Sequence, residues 1–327
     1  MTSELSILSG VRLRKQFRLK ASPSAPTGLL TALDDVSIEL ATGATLGIAG
    51  ESGCGKSTLG KILAGLLKPD SGEVRYLGSP IADLAPEASR VFRRTTQMIF
   101  QDPFSSLNPR MRVGDIIAEP FVIAGTGSST SRRALVEEIM QTVGLTTEQY
   151  HRFPHEFSGG QRQRIGIARA LAASPTVIIA DEPVSSLDIS IQAQIINLLQ
   201  AMKSQFSLSM MIISHDLSVL RHICDRVAIM YLGIVVEYAP ASELFRHCLH
   251  PYSEALIAAI PRIKPDEQRT RHILKDDIPS PLAIPRGCRF HPRCRYAKAI
   301  CNTEVPPLEE KQPGHFAACH FSDSIFS

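Results

Sequence analysis

TLGIAGESGCGKSTLGKILAGLL, residues 45–67, decides the fold. Its centre, GESGCGKS at 50–57, fits the spacing G-x-x-x-x-G-K-[ST]. The apolar run before it has the length of a strand, and the run after it has helical spacing. That flanking pattern is the context the motif requires. Glycines let the backbone curl so that N–H groups face inward onto a phosphate, and the helix that starts there adds the positive end of its dipole. On this reading Gly50, Glu51, Ser52, Gly53, Cys54, Gly55 and Thr58 belong to a phosphate cradle. Lys56 reaches the β- and γ-phosphates of a nucleotide, and Ser57 ligates Mg²⁺. Cys54 reads as a small residue of the loop rather than as a redox switch.

A second carboxylate-bearing stretch follows, VIIADEP at 177–183. Four apolar residues make a buried strand and Asp181 emerges at its C-terminal end, where ligands bind in parallel sheets. Asp181 is placed to hold Mg²⁺ through water, and Glu182 to orient or deprotonate the attacking water. Strand-like and helix-like runs alternate through the chain: the stretch from Asp188 to Met202, then MMIIS, a short helix, and VAIMYLGIVVEY. This alternation predicts an α/β fold with a largely parallel, buried sheet. Loops are expected at ASPSAPTG (21–28) and GTGSSTS (125–131). Beyond about residue 260 prolines crowd in (Pro261, Pro265, Pro279, Pro281, Pro285) and apolar periodicity fades, which places a boundary there.

FSGGQRQR, residues 157–164, opens a helix with small residues. Ser158, Gly159, Gly160 and Gln161 form an anion site without a lysine, made of N–H groups, a hydroxyl and a helix dipole. Ile165, Ala168, Leu171 and Ala172 give that helix a packing side. One nucleotide does not need two phosphate-binding ends. A dimer explains both, each ATP lying between the Lys56 loop of one subunit and the SGGQ of another.

The ordered set GESGCGKST, FSGGQ, VIIADEP, SSLD and ISHD resembles the nucleotide-binding subunit of an ABC transporter over roughly residues 5–260. The resemblance implies a RecA-like α/β core with an antiparallel β-subdomain and a helical subdomain over about 103–173. It implies ATP with Mg²⁺, and ATPase activity coupled to transmembrane transport. Carried over by residue, Gln101 in MIFQDP matches the Q-loop, which senses Mg²⁺ and the membrane partner. Asp188 closing SSLD matches the D-loop, and His215 in ISHD matches the switch histidine at the γ-phosphate. Phe17 is the match to the aromatic that stacks on adenine. Phe157 and Ser186 are mild departures from the family pattern.

QMIFQDPFSSLNPRMRVGDII (97–117) and LHPYSEALIAAIP (249–261) resemble the oligopeptide/dipeptide importer branch, most like its "F"-type ATPase. The chain then divides into an ATPase domain, 1–260, and a C-terminal extension, 261–327. Implied partners are a sister ATPase, two transmembrane permease subunits and an extracytoplasmic solute-binding protein, at the cytoplasmic face of the cell membrane. Implied cargo is di- or oligopeptide, with nickel, metal chelates or glutathione as alternatives. A soluble ABC ATPase of DNA repair or translation is a distant alternative. The net charge of +3 over 327 residues does not suggest nucleic acid, and VRLRKQFRLK (11–20) reads as a solvated β-edge. No signal peptide and no apolar run of bilayer length is visible.

Seven cysteines without an export signal argue for a reducing compartment. Cys288, Cys294, Cys301 and Cys319 gather near the end with five, six and seventeen residues between them. Structural zinc usually includes a tight Cys-x-x-Cys pair, and there is none here. Wider spacing suits a larger thiolate-held cluster. Some members of the resembled branch carry a 4Fe-4S cluster on similarly spaced cysteines. Zinc with His291, His315 or His320, and thiols without metal, remain the other two readings. Cys224 and Cys248 read as core or surface thiols.

Overall fold

The structure is a computed structural model that describes residues 6–19, 28–185, 187–260 and 279–326. The loop at 21–27, Ser186, and the expected boundary around residue 261 fall outside the described residues. The chain opens with β1 (Ser6–Leu19), β2 (Gly28–Ala41), β3 (Thr45–Ala49), α1 (Lys56–Leu63), β4 (Ser71–Tyr76) and β5 (Ser79–Pro80). Then come α2 (Pro86–Thr95), β6 (Thr96–Ile99), α3 (Pro103–Ser106), α4 (Val113–Ile123), α5 (Ser129–Thr142) and α6 (Gly159–Ala172). The middle continues with β7 (Val177–Asp181), α7 (Ile189–Phe206), β8 (Ser209–Ile213), α8 (Leu217–Ile223), β9 (Arg226–Tyr231) and β10 (Ile234–Pro240). It closes with α9 (Ala241–Arg246), α10 (Pro251–Ala258), β11 (Glu309–Gln312), β12 (His315–Ala317) and α11 (Ser322–Ile325).

Two compact units result. The first is built mainly from Leu40–Ala44 and Asp83–Ile213. In it β6, β7 and β8 run parallel, Ile99 opposite Ala180 and Asp181 opposite Ile213. All five residues of β7 and of β8 are buried, as parallel strands covered on both faces require. Ile165, Ala168, Leu171 and Ala172 of α6 are buried as their spacing predicts. The GTGSSTS loop is shorter than expected, because the Ser128 hydroxyl accepts the Ser131 N–H and caps α5 from within it.

The second unit holds Leu8–Glu39, Thr45–Ala82 and the described part from Ser214 onward. One sheet has the order β2-β1-β4-β5, with β1–β4 and β4–β5 antiparallel. The basic strand β1 is therefore interior, not the edge expected from its charges. Its cations stand on the sheet faces and meet carboxylates: Arg12 on Asp35 at 3.0 Å, Lys15 on Asp70 at 2.7 Å. A second sheet runs β11-β12-β10-β9-β3, in which only β3–β9 is parallel. The single apolar run VAIMYLGIVVEY folds into a hairpin, because Leu232 (φ 43°) and Gly233 (φ 84°) both turn left-handed. A Cβ on Gly47 would lie 2.9 Å from the Cys224 sulfur, so this thiol belongs to the core around β3.

The C-terminal segment contributes β12 to that second sheet, with Glu237 of β10 opposite Ala317. Glu237 is wholly buried and its Oε1 accepts from the Leu249 N–H and from His315 Nε2 at 2.7 Å. Removing the imidazole leaves a buried carboxylate short of one donor. His315→Ala is expected to cost about 2 kcal/mol of stability, read as a lower urea midpoint with nucleotide binding retained.

Candidate functional site

The phosphate loop lies between β3, which is buried throughout, and α1, which buries Leu59, Ile62 and Leu63. Two glycines make its curl possible. Gly50 (φ 147°) passes so close to β9 that a Cβ would meet the Met230 carbonyl oxygen at 2.2 Å. At Gly55 (φ 106°) a Cβ would meet the Ala32 carbonyl oxygen, also at 2.2 Å. No L side chain fits either position. Lys56 is only 5% exposed, and its Nζ donates to the carbonyls of Gly50 at 2.8 Å and Glu51 at 2.9 Å. The loop thus curls around an ammonium group, a cradle shaped for an anion.

Not every expected cradle residue faces inward. The Glu51 N–H donates to the Tyr252 hydroxyl at 2.9 Å, and its carboxylate meets Arg293. Burial keeps the Tyr252 phenol protonated. Cys54 is buried, and burial pushes its thiol pKa up, so it stays a neutral small residue as expected. His215 stands exposed just before α8, also in this unit. Phe17, on β1, is half-buried with the Lys15 ammonium 5.7 Å from its ring centroid.

The first unit holds the carboxylates. Ile99 and Ala180 are opposite each other in parallel strands, so the residues two places further on, Gln101 and Glu182, land side by side. Gln101 Nε2 donates to Glu182 Oε2 at 2.9 Å. Asp181, 3% exposed, ends β7. Glu182 carries a left-handed φ of 46°, unusual for a residue with a side chain and typical of sites where strain serves placement. The chain reverses directly after it, with Ser185 donating to the Glu182 carbonyl.

Ser158, Gly159, Gly160 and Gln161 open α6 in the same unit. The Ser158 hydroxyl accepts the Gln161 N–H at 3.4 Å while Gln161 Oε1 accepts the Ser158 N–H at 3.1 Å. This reciprocal cap fixes the helix start and leaves the Ser158 hydroxyl hydrogen to donate elsewhere. Small residues are needed: a Cβ on Gly160 would lie 2.5 Å from an Ile191 methyl. The arginines that follow serve the scaffold, since Arg162 Nε donates to the Pro154 carbonyl at 2.7 Å. Asp188 caps α7, accepting from Ile191 N–H at 2.9 Å and Ser190 hydroxyl at 2.7 Å, bonds that hold its carboxyl pKa below the usual range.

Cys288, Cys294, Cys301 and Cys319 line one cavity, together with Phe290 and Phe321. The seven cysteines form no disulfide. Burial pushes the Cys288 and Cys294 thiols up to about 11, so both are protonated near neutrality when nothing is bound. Among the described residues no three His, Cys, Asp or Glu side chains are close enough to share one metal ion. The arrangement therefore does not fit the single zinc considered from the sequence.

Comparison with known proteins matches residues 33–185 to the ABC transporter family. Residues 236–301 match the oligopeptide/dipeptide transporter C-terminal region. The oligopeptide transport ATP-binding protein AppF of Bacillus subtilis is 50% identical over 296 residues, 90% of each chain. The chain belongs to the ATP-binding proteins of oligopeptide/dipeptide ABC transporters. The dipeptide transport ATP-binding protein DppF of Escherichia coli is 45% identical over 98% of this chain and 96% of its own. Among solved structures, the dimeric ATP-binding cassette MJ0796, in a post-hydrolysis state bound to ADP and Pi, is 27% identical. It superposes with a TM-score of 0.64 over 72% of this chain and 98% of its own.

ABC transporter ATP-binding proteins are ATPases that power transport, and this chain is one of them. Sequence reasoning did not place Tyr252 or Arg293 against Glu51 of the Lys56 loop, nor Arg289 against Leu232 beside it. No local spacing signals them, because they stand some 200 residues further along the chain.

Gly50→Ala places a methyl group against the Met230 carbonyl. It is expected to weaken ATP binding by about 100-fold or more, since an overlap this short displaces the loop rather than a side chain. Titration with a fluorescent ATP analogue measures it.

Proposed function

We propose that this chain is the ATP-hydrolysing subunit of an importer of dipeptides or oligopeptides, bound peripherally at the cytoplasmic face of the cell membrane. The carrying observation is 45–50% identity over nine-tenths or more of the chain to proteins named for those transports. Among the described residues no helix is long and apolar enough to cross a membrane. Two permease subunits form the translocation path. A solute-binding protein delivers the cargo, and a sister ATPase completes the pair.

In this reading the Lys56 loop with Ser57 and Thr58 grips the ATP phosphates. Ser57, Asp181 and Gln101 hold Mg²⁺. Ser158 to Gln161 of the opposing subunit close on the γ-phosphate, and Asp188 lies along the subunit contact. Phe17 stacks on adenine and His215 touches the γ-phosphate. Glu182 accepts a proton from the attacking water, with Gln101 holding its carboxylate in place until substrate arrives. Two ATPs close the dimer and hydrolysis opens it, which is catalysis and coupling by differential binding.

The thiolates of Cys288, Cys294, Cys301 and Cys319 would hold a 4Fe-4S cluster in a structural or redox-sensing role. Their convergence on one cavity supports this. Anaerobic purification should yield iron and acid-labile sulfide in equal amounts, both lost in Cys294→Ser. Zinc, or no metal, overturns it.

Glu182→Gln should keep ATP binding and lower turnover by about 10²–10⁴-fold, read in a steady-state phosphate-release assay; hydrolysis at the native rate removes Glu182 as the base. A tagged copy extracted from its native membrane should bring two permeases, a sister ATPase and a binding protein. That binding protein, screened against peptides, nickel, metal chelates and glutathione, identifies the cargo. Ribosomal or DNA-repair partners alone would overturn the importer.

A further inference from the structure

The turn that carries Cys288 and Cys294 also carries Arg289 and Arg293; Arg293 reaches the phosphate loop, and Arg289 reaches Leu232 and Asp34. Arg293 grips the Glu51 carboxylate with two parallel bonds, Nη1 to Oε2 at 2.7 Å and Nη2 to Oε1 at 3.0 Å. Its side chain is 4% exposed and that of Glu51 24%, so the pair is largely shielded from water. The guanidinium stands 5.9 Å from the Tyr231 ring centroid. Arg289 donates to the Leu232 carbonyl and to Asp34. The next residue, Gly233, donates its N–H to the Cys54 carbonyl at 3.0 Å and accepts the Asp34 N–H at 2.9 Å. Pro279 and Pro281 line, with Ser52 and Gly53, a cavity of about 150 Å³. The C-terminal segment thus holds the loop directly at Glu51, and at Cys54 through the Leu232–Gly233 turn.

Glu51 is also one of the two residues whose carbonyls hold Lys56 Nζ. A shift of the Glu51 side chain therefore moves an acceptor of the lysine. We infer that Arg293 is a positioning residue of the ATP site: through its clamp on Glu51 it fixes the curl of the phosphate loop and the place of Lys56. The inference rests on the assignment of that loop to ATP. It gives the C-terminal turn a part in nucleotide affinity, beyond holding thiols. A bidentate guanidinium does this where a lysine cannot, because two parallel bonds set orientation as well as distance.

The test uses the full chain and four variants: Arg293→Ala, Arg293→Lys, Glu51→Gln and the Arg293→Ala/Glu51→Gln pair. ATP Kd by calorimetry, KM and kcat of hydrolysis, and the thermal midpoint are measured for each. Arg293→Ala should raise Kd and KM by about tenfold or more, since one partner of a shielded pair is left uncompensated. Glu51→Gln should do the same, the double variant should be no worse than either single one, and Arg293→Lys should recover part of the affinity. A lowered thermal midpoint with Kd unchanged in Arg293→Ala reduces the pair to a staple and overturns the inference. If Arg293→Ala does not fold, native affinity in both Glu51→Gln and Arg293→Lys overturns it. Lys56→Ala is the control for the site itself: unchanged ATP binding there would sink the loop assignment and the inference with it.

Discussion

An ammonium group almost wholly withdrawn from water is the constraint around which the glycine-rich loop at 50–57 is organised. Burying a charge costs heavily unless hydrogen bonds and nearby dipoles compensate. Lys56 is compensated by the backbone of its own loop, through the carbonyls of Gly50 and Glu51. The loop can reach back that far only because Gly50 and Gly55 take left-handed conformations against carbonyls of β9 and β2. Loop, lysine and neighbouring strands therefore specify one another. A loop held this way is ordered before any anion reaches it, which keeps the entropic cost of binding low.

The carboxylate half is organised by strand register. Parallel pairing of β6 and β7 sets Gln101 beside Glu182 without either residue being close in sequence. The left-handed backbone at Glu182 then turns the chain sharply away from β7. A carboxylate held by one donor and a reversed backbone has little freedom left to lose.

The C-terminal segment answers two needs at once. It completes a sheet, with His315 of β12 satisfying the buried Glu237 of β10. It also gathers four thiols around a cavity while Arg293 reaches Glu51 of the phosphate loop. Such a segment is not an ornament on the ATPase but part of the packing that shapes the site.

The local folding of the motifs was legible from the sequence alone, because glycine-rich loops, strand ends and helix caps are local patterns. GESGCGKS, VIIADEP, FSGGQ and the helix from Asp188 all fold as their spacing implied, since each depends on residues within a few positions of one another. The family followed from their order. The interior position of β1 was not legible, because strand order depends on partners far along the chain and charge alone suggested an edge. Nor was the hairpin inside VAIMYLGIVVEY, whose turn needs a left-handed leucine that no propensity favours. The grip of Arg293 and Tyr252 on Glu51 spans some 200 residues. Only tertiary structure decides such contacts, because long-range pairing is set by how sheets and loops pack in space and leaves no period or spacing in the sequence.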